Sequence, residues 1–257
     1  MNSMRLFASE SHDPYINLAF EEHLFRGSDE AAFLWVNGPC VVIGRNQDPT
    51  CEADLAFLQE NGIALARRLS GGGAVYHDLG NVNYSLVTDD SDSTQLVRWA
   101  LATLALVGIS ARACGRNDIH VGTRKVGGMA ECRLNGRSLL HGTMMVNVNL
   151  ANLARALQPS PSKLERHGIA SVEARVANLT DAAPSLTVTQ LIDAFATTLD
   201  AAALPAAFSW QIHERAKALK EHTWLFHGID KPISTNPNRN AMDEQHRANR
   251  DLIHRSL

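Results

Sequence analysis

The sequence predicts an α+β fold in which a largely antiparallel β-sheet core is flanked by helices. Two observations support this prediction. Short apolar runs of strand character are mixed with helical patterns, without a strict strand–helix–strand alternation. The turn pair Asn135-Gly136 lies between two such runs and is a strong signal for a hairpin of antiparallel strands. At 257 residues the chain can bury one substantial core. We expect residues 1–234 to form one folded domain, and residues 235–257, which are polar and poor in apolar groups, to form a tail.

The first helix is predicted to begin at Asp13-Pro14, where a capping carboxylate precedes a proline that suits the first helical position. Ile16, Phe20 and Leu24 recur at a spacing of four, so one face of this helix is expected to be core, and Gly27 ends it. Further along, apolar runs and turn residues predict, in order, buried strands at 33–36 and 41–43, a helix at about 51–60, a strand at 63–67, and a hairpin of 75–77 with 83–87.

Helices and strands are also mixed in the second half of the chain. A helix from about Thr94 to Val107 ends at Gly108. Thr187 and Gln190 have the spacing of a capping box, which predicts a helix running to about Leu199. The remaining patterns predict strands near 109–113, 125–133 and 139–147, a short helix at about 150–157, and an alanine- and proline-rich bridge at 201–207.

Residues 67–81 contain the most unusual run of the chain. The consecutive glycines Gly71, Gly72 and Gly73 suit neither a helix nor a strand, but they let the backbone pass close to a bulky ligand and let its N–H groups converge on an anion. Two arginines precede them and His77-Asp78 follows. Three glycines alone would more simply be a hairpin with charged flanks, whereas the whole run favours a local anion site. It is neither a Walker loop nor a G-x-G-x-x-G turn.

Composition narrows the class of protein. The formal net charge of −3 gives no reason to expect nucleic acid as a partner. No apolar run approaches membrane-spanning length, and the first residues are polar, so neither a membrane span nor a leader is predicted. The four cysteines (Cys40, Cys51, Cys114, Cys132) show neither disulfide-framework nor zinc-like spacing. This favours a location in the reducing cytoplasm.

Residues 67–81 resemble the signature of lipoate–protein ligases, a branch of the superfamily that also contains biotin ligases and octanoyltransferases. The resemblance is collinear over roughly residues 4 to 234. Besides this run it is carried by the segments at 13–22, 42–47, 115–118, 124–126, 141–143, 163–172 and 175–180. The family's catalytic domain has the α+β architecture that the patterns predict.

The resemblance assigns roles to particular residues. It implies that Lys125 is the catalytic lysine that contacts both the lipoate carboxylate and the α-phosphate of ATP. Arg68 matches an arginine on the nucleotide phosphates, and Asn117-Asp118 would hold the nucleotide, with Asp118 also binding Mg²⁺. The other residues predicted to bind the adenylate are Gly71, Gly72, Gly73, Ala74, Val75, Tyr76, His77 and His141. Without the resemblance, the commoner interpretation of Lys125 is a solvated strand lysine, although the two glycines after it favour the close approach of a bulky group. An ordinary turn is an equal alternative for Asn117-Asp118, and a histidine near a turn is more often a structural group.

The resemblance implies a ligase that activates lipoate with ATP and Mg²⁺ and passes the lipoyl group to a carrier lysine. The carrier would be the E2 component of a 2-oxoacid dehydrogenase, the glycine-cleavage H-protein or a similar protein. An ATP-independent octanoyl- or lipoyltransferase and a non-enzymatic binding module are the alternatives. The chain departs from the family pattern at Gly127-Gly128-Met129-Ala130, where Ser-Gly-Ser-Ala is common. It is also expected to lack the C-terminal accessory domain, so that a separate protein would supply it.

Overall fold

In the computed structural model of the chain, residues 4–89, 92–157 and 176–227 are described. The strands are β1 (Arg5–Ala8), β2 (Ala31–Trp35), β3 (Cys40–Ile43), β4 (Ala64–Arg67), β5 (Val75–His77), β6 (Asn81–Thr88), β7 (Ala111–Cys114), β8 (Asp118–Val121), β9 (Arg124–Leu134), β10 (Arg137–Met145) and β11 (Leu204–Pro205). The helices are α1 (Pro14–Arg26), α2 (Pro49–Glu52), α3 (Leu55–Glu60), α4 (Thr94–Leu106), α5 (Leu150–Ala156), α6 (Val188–Leu199), α7 (Trp210–Lys220) and α8 (His222–His227), with a 3₁₀ turn at Leu179–Asp181.

The strands form two sheets. The large sheet has the order β11-β1-β2-β6-β10-β9-β8-β7, and the small sheet has the order β4-β3-β5. Pairing in the large sheet is antiparallel except at the β11-β1-β2 edge, and in the small sheet β3 runs parallel to β4. The predicted α+β class with a largely antiparallel sheet and flanking helices is therefore confirmed.

Side chains along the strands of the large sheet point alternately to its two faces, and both faces are covered. On one face Tyr84 stacks on Phe195 of α6 at 4.6 Å between ring centroids, and Trp99 of α4 meets Phe195 edge-on. On the other face Phe33 and Trp35 stack at 4.6 Å and pack with residues of α1, α7 and α8. The small sheet joins this second face through Val42 and Ala66, so the second face is the one enclosed between the two sheets.

Several predicted elements are confirmed with their capping chemistry. The Asp13 side chain accepts hydrogen bonds from the N–H groups of Tyr15 and Ile16 at the start of α1. Thr187 and Gln190 form the predicted capping box of α6. Asn135 and Gly136 both have positive φ angles, of 53° and 79°, and close the β9–β10 hairpin.

The predicted hairpin of 75–77 with 83–87 is wrong. β5 pairs with β3 in the small sheet, whereas β6 pairs with β2 and β10 in the large sheet. The turn residues between them are real, since Asp78 accepts hydrogen bonds from the N–H groups of Gly80 and Asn81. The turn passes the chain from one sheet to the other, and Gly80 packs so closely on Asn147 that a Cβ there would lie 2.1 Å from its carbonyl oxygen.

Other differences concern short elements. The single helix predicted at 51–60 is two helices, α2 and α3, because Asp54 caps a new helix by accepting from the N–H of Phe57. The bridge predicted at 201–207 contains the edge strand β11. The sequence patterns did not predict β1, β8, α7 or α8. The segments at 163–172 and 235–257 lie outside the described residues. Within the described ranges, no helix is long and apolar enough to cross a membrane.

Candidate active site

A cavity of about 200 Å³ opens between the two sheets. Its floor includes a row of paired residues that crosses five strands of the large sheet: Trp35, Asn83, Thr143, Gly128 and Asp118. Paired residues point to the same face of a sheet, so this one row carries polar groups from β2 to β8. Val42 of the small sheet, Gly72 and Gly73 line the same cavity. The site is therefore built by register and by sheet packing.

Lys125 and Asp118 form an ion pair at one end of this row. The Lys125 Nζ lies 2.8 Å from Asp118 Oδ1, and both side chains are a little more than one-third exposed. Gly128 makes room for the lysine, since a Cβ at this position would lie 3.3 Å from the Lys125 Nζ. Asp118 is the first residue of β8 and Asn117 precedes it in a turn, and both line the cavity. The ammonium is thus held at the cavity by a carboxylate.

The Arg68 side chain determines the shape of the glycine run, Gly71 to Gly73. Its side chain is buried and donates to the carbonyl oxygens of Gly71 at 2.7 Å, Gly73 at 2.6 Å and Val42 at 3.0 Å. Gly72, between these carbonyls, has a φ angle of +90°, which a side chain would strain. In this arrangement the Arg68 guanidinium curls the loop around itself, and its predicted contact with nucleotide phosphates stays a prediction. Burial lowers the pKa of Arg68 to about 10, which leaves it charged at neutral pH.

The curled loop leaves backbone donors available. Across the described ranges, the amide N–H groups of Gly72 and Gly73 donate to no acceptor. Both residues line the cavity. Free amide groups in a non-helical, glycine-rich loop are the usual donors of an anion-binding nest. The geometry therefore suits an anion in the cavity that Lys125 also lines.

His141 connects the loop to α1. Its Nδ1 lies 3.0 Å from Glu21 Oε1 and its Nε2 lies 2.6 Å from Ser70 Oγ. Ser70 also accepts from Arg68 Nε at 3.0 Å. Glu21, Ser70 and His141 are all buried, and Ser70 is only 1% exposed, so this arrangement positions the loop and does not present a nucleophile. The sequence analysis assigned no role in the site to Glu21 or Ser70.

The predicted site residues divide into those that line the cavity and those that do not. Those that line the cavity are Arg68, Gly72, Gly73, Ala74, Val75, His77, Asn117, Asp118, Lys125 and His141. Gly71 and Tyr76 do not line it. The Tyr76 side chain lies in a separate apolar cluster with Val41, Ile43 and Met145, because alternate residues of β5 point to opposite faces.

Arg67, one of the two arginines before the glycines, has a structural role that the sequence analysis did not predict. Its side chain is 2% exposed and donates to carbonyl groups of two distant segments. In α8 it contacts the oxygens of Trp224 and Leu225, and in the loop after β3 it contacts those of Gly44, Arg45 and Gln47. The Arg45 N–H in turn donates to the Ser70 carbonyl at 2.8 Å. Helix α8 is thus linked to the glycine run.

His77 is buried and titrates far from its ordinary range. Its pKa is lowered to about 3, chiefly by burial, with Arg68 and His141 adding repulsion. The folded chain therefore holds His77 neutral where an unfolded chain, with a pKa near 6.5, takes up a proton. We expect the free energy of unfolding to fall as pH drops from about 6.5 towards about 3, by up to roughly 1.4 kcal/mol per pH unit from this group.

Urea unfolding at pH 7 and pH 5 measures this dependence. His77→Gln should flatten it, whereas His213→Gln, at an exposed position on α7, should leave it as in the wild type. Equal pH dependence in the wild type and in His77→Gln would contradict the assignment.

Among the described residues, the support for a metal site is a single carboxylate at the cavity, that of Asp118, and not a cluster of ligands. The described residues contain no group of three or more His, Cys, Asp and Glu side chains that could hold a metal ion by itself. Mg²⁺ in phosphate-transfer sites is typically held by one or two carboxylates together with substrate phosphates. Asp118 meets this requirement, and its role as a Mg²⁺ ligand stays a prediction.

Comparison with known proteins identifies the family. Residues 13–200 match the model of the lipoyl protein ligase A/B catalytic domain, so the chain belongs to this family. It is also similar to solved structures. A bipartite lipoate protein ligase from Thermoplasma acidophilum, described with its E2 lipoyl domain, is 29% identical, with a TM-score of 0.74 over 91% of this chain and 99% of that chain.

Two further structures are informative. A lipoate-protein ligase A bound with ATP is 28% identical, with a TM-score of 0.72 over 87% of this chain and 98% of that chain. A T. acidophilum protein solved with bound lipoic acid is 27% identical, with a TM-score of 0.72 over 88% of this chain and 99% of that chain.

Proposed function

We propose that this chain is a lipoate–protein ligase that joins lipoate to the α-phosphate of ATP, releases pyrophosphate, and passes the lipoyl group to a carrier lysine. The observation that carries the proposal is the Lys125 ammonium, 2.8 Å from Asp118, in a cavity that is also lined by Gly72 and Gly73, whose N–H groups donate to no acceptor in the described ranges. The ATP-bound and lipoic-acid-bound relatives support the two substrates.

The reaction brings two anions together, and this is the step that the site must assist. A carboxylate attacks the α-phosphorus while pyrophosphate leaves, and charge grows on the phosphoryl oxygens. The compact Lys125 ammonium offsets the repulsion between carboxylate and phosphate, and preorganised N–H donors stabilise the developing charge. Asp118 would hold a Mg²⁺ ion, which when bound neutralises phosphate charge. In the structure the anion that pairs with the Lys125 ammonium is the Asp118 carboxylate.

The cysteines favour a ligase over a thioester-forming transferase. All four lie in the described ranges, and none of them lines the cavity. Cys40 is fully buried and its pKa is raised by burial, so it is a poor thiolate. Burial also raises the pKa of Cys132. An acyl-adenylate is itself an activated donor, so the proposed route needs no covalent thioester.

Pyrophosphate exchange tests the proposal directly. The purified chain with ATP, Mg²⁺ and lipoate should incorporate labelled pyrophosphate into ATP, and omission of lipoate should abolish the exchange. Absence of exchange, together with transfer of an acyl group from a thioester donor, would replace the ligase by the transferase.

We further propose residues 1–234 as the catalytic domain and a lipoyl-domain or H-protein lysine as the acceptor, with a second protein taking part in transfer. The likeness to a bipartite ligase described with its E2 lipoyl domain supports both partners. An acyl-adenylate must be kept from water until the amine arrives, and a partner that closes the site would do this. The rate of lipoyl transfer to a carrier lysine by the same purified chain tests this proposal. A rate of about 1 s⁻¹ or more by this chain alone would contradict the need for a second protein.

A further inference from the structure

Strand β9 is irregular next to Lys125. β8 pairs with β9 at Ile119–Gly127, and the next pair along β8 is His120–Lys125, so the register shifts between the two pairs. One step along β8 therefore corresponds to two steps along β9, and Val126 has no partner of its own on β8. A count of two residues against one defines a β-bulge, and bulges next to active sites turn side chains to a new direction.

The bulge places Val126 and Gly127 on the same face of the large sheet. Val126 is 1% exposed and belongs to the hydrophobic core that also contains Ile119 and Met144. A Cβ at Gly127 would lie 3.6 Å from Ile119 Cβ and 3.1 Å from Met144 Sδ, so it would point to that core as well. Neighbouring residues of a regular strand point to opposite faces, and β9 therefore omits one alternation here.

Lys125 and Gly128 share the cavity face as a result. A Cβ at Gly128 would lie 3.3 Å from Lys125 Nζ, and this Nζ lies 2.8 Å from Asp118 Oδ1. All three residues line the cavity. Residues three apart in a regular strand point to opposite faces. Without the bulge, a β9 anchored at Gly128 would direct Val126 into the cavity and Lys125 into the core.

The Lys125 backbone has partners on both sides. The pairing of β9 with β10 ends at Gly127–Met144. Beyond this point Val176 forms a parallel bridge with Lys125, and the Ala177 N–H donates to the Lys125 carbonyl oxygen at 2.9 Å. β8 pairs with Lys125 from the other side. The main chain that carries the ammonium is therefore held where β9 parts from β10.

Gly127 allows β9 to approach β10 closely at the bulge. A Cβ at this position would lie 2.5 Å from the Thr143 carbonyl oxygen, which is too short for any real contact. The obstacle is backbone, so a side chain at residue 127 would have to move β9 away from β10, two residues from Lys125. Gly127 is also a position at which the chain departs from the family pattern, so the resemblance assigns it no role.

We propose that the bulge at Val126–Gly127 turns the Lys125 ammonium onto the cavity face, and that Gly127 is a positioning residue for this lysine. The inference rests on the proposed function, because it concerns how the lysine of that reaction is placed. Misplacing a group in an active site by about 1 Å can cost about 10²-fold in rate, so the path of β9 contributes directly to catalysis.

Thiol alkylation at two positions tests the bulge without requiring activity. The thiol of Val126→Cys should be buried in the core, and the thiol of Lys125→Cys should face the cavity. Iodoacetamide treatment of the folded full chain, followed by mass spectrometry of its peptides, should show alkylation of Lys125→Cys at least about tenfold faster than of Val126→Cys, because buried thiols are inert. Equal rates, or faster alkylation of Val126→Cys, would overturn the bulge.

Gly127→Ala tests the positioning role. It should lower kcat for pyrophosphate exchange by about 10–10²-fold through displacement of the ammonium, and change the KM for ATP by less than about threefold. Gly38→Ala is the matched control. Gly38 lies between β2 and β3, and a Cβ there would make an ordinary contact of 3.4 Å with the His12 carbonyl oxygen. This variant should exchange pyrophosphate at the wild-type rate.

A double variant distinguishes positioning from general damage. Added to Lys125→Ala, Gly127→Ala should cost less than about threefold more, because a residue that acts through Lys125 then has nothing left to position. A loss as large as in the wild-type background, or near-full exchange by Gly127→Ala alone, would overturn the positioning role. Where Gly127→Ala fails to fold, the alkylation ratio decides. The expected alkylation ratio without any pyrophosphate exchange by the wild type would support the bulge and contradict the ATP-dependent ligase.

Discussion

Replacing Lys125 by alanine should lower pyrophosphate exchange by about 10²–10³-fold, the usual loss when one preorganised donor to a developing charge is removed. The ammonium lies at the cavity in an ion pair with Asp118 and above Gly128. Its side chain is one-third exposed, so its loss should leave the fold intact. Lys125→Arg should restore little activity, because a planar fork does not fit the place of a compact ammonium between two anions.

The matched control for this variant is Lys217→Ala. Lys217 lies on α7 with its side chain 72% exposed, and it pairs with Glu214 one helical turn away. It should exchange pyrophosphate at the wild-type rate. Near-full exchange by Lys125→Ala, in a preparation whose urea midpoint matches the wild type, would remove the lysine from the proposed mechanism.

Local sequence signals predicted the parts of the fold that are set by local chemistry. A capping carboxylate before Pro14, the Thr187–Gln190 box and the Asn135-Gly136 turn each satisfy backbone groups within a few residues, and the structure contains all three. These elements need no knowledge of distant partners. The α+β class could be predicted from these elements, because a set of helices and strands can cover a sheet in only a few ways.

Sheet membership could not be predicted in the same way. Residues 78–80 contain good turn chemistry, but a turn does not determine whether the strands on either side pair. β5 finds β3 and β6 finds β2 and β10, and these contacts span long stretches of sequence. Short strands such as β1 and β11 are likewise defined mainly by the neighbours they pair with.

The site was predicted where the sequence carries unusual residues and was missed where it carries ordinary ones. Lys125 and the glycine run were marked by composition and by resemblance. Asn83 had a visible signal, because Asn81, Asn83 and Ser85 alternate with apolar residues along β6. Alternation normally indicates a solvated polar face. Here all three polar residues are buried, since α1 and the small sheet pack over that face.

Arg67→Met should lower the free energy of unfolding by about 3–5 kcal/mol, the largest stability effect we expect for a single change in this site. The variant keeps much of the apolar stem but loses every donor, and five carbonyl groups in α8 and in the loop after β3 lose a charged partner together. Arg67→Lys should recover less than half of this loss, because one ammonium cannot reach both segments in the geometry of a guanidinium fork.

Urea unfolding followed by circular dichroism measures the loss, and Arg98→Met on α4 is the control. The Arg98 side chain is 63% exposed, and its ion pair with Asp92 should be worth at most about 1 kcal/mol. Hydrogen exchange adds a local reading, since Trp224 Nε1 donates to the Arg67 carbonyl at 3.1 Å. If Arg67 ties α8 to the loop that bonds Ser70, exchange should rise in α8 and at Arg45 together. A loss below about 1 kcal/mol, or faster exchange in α8 alone, would mean that the two segments are held independently of Arg67.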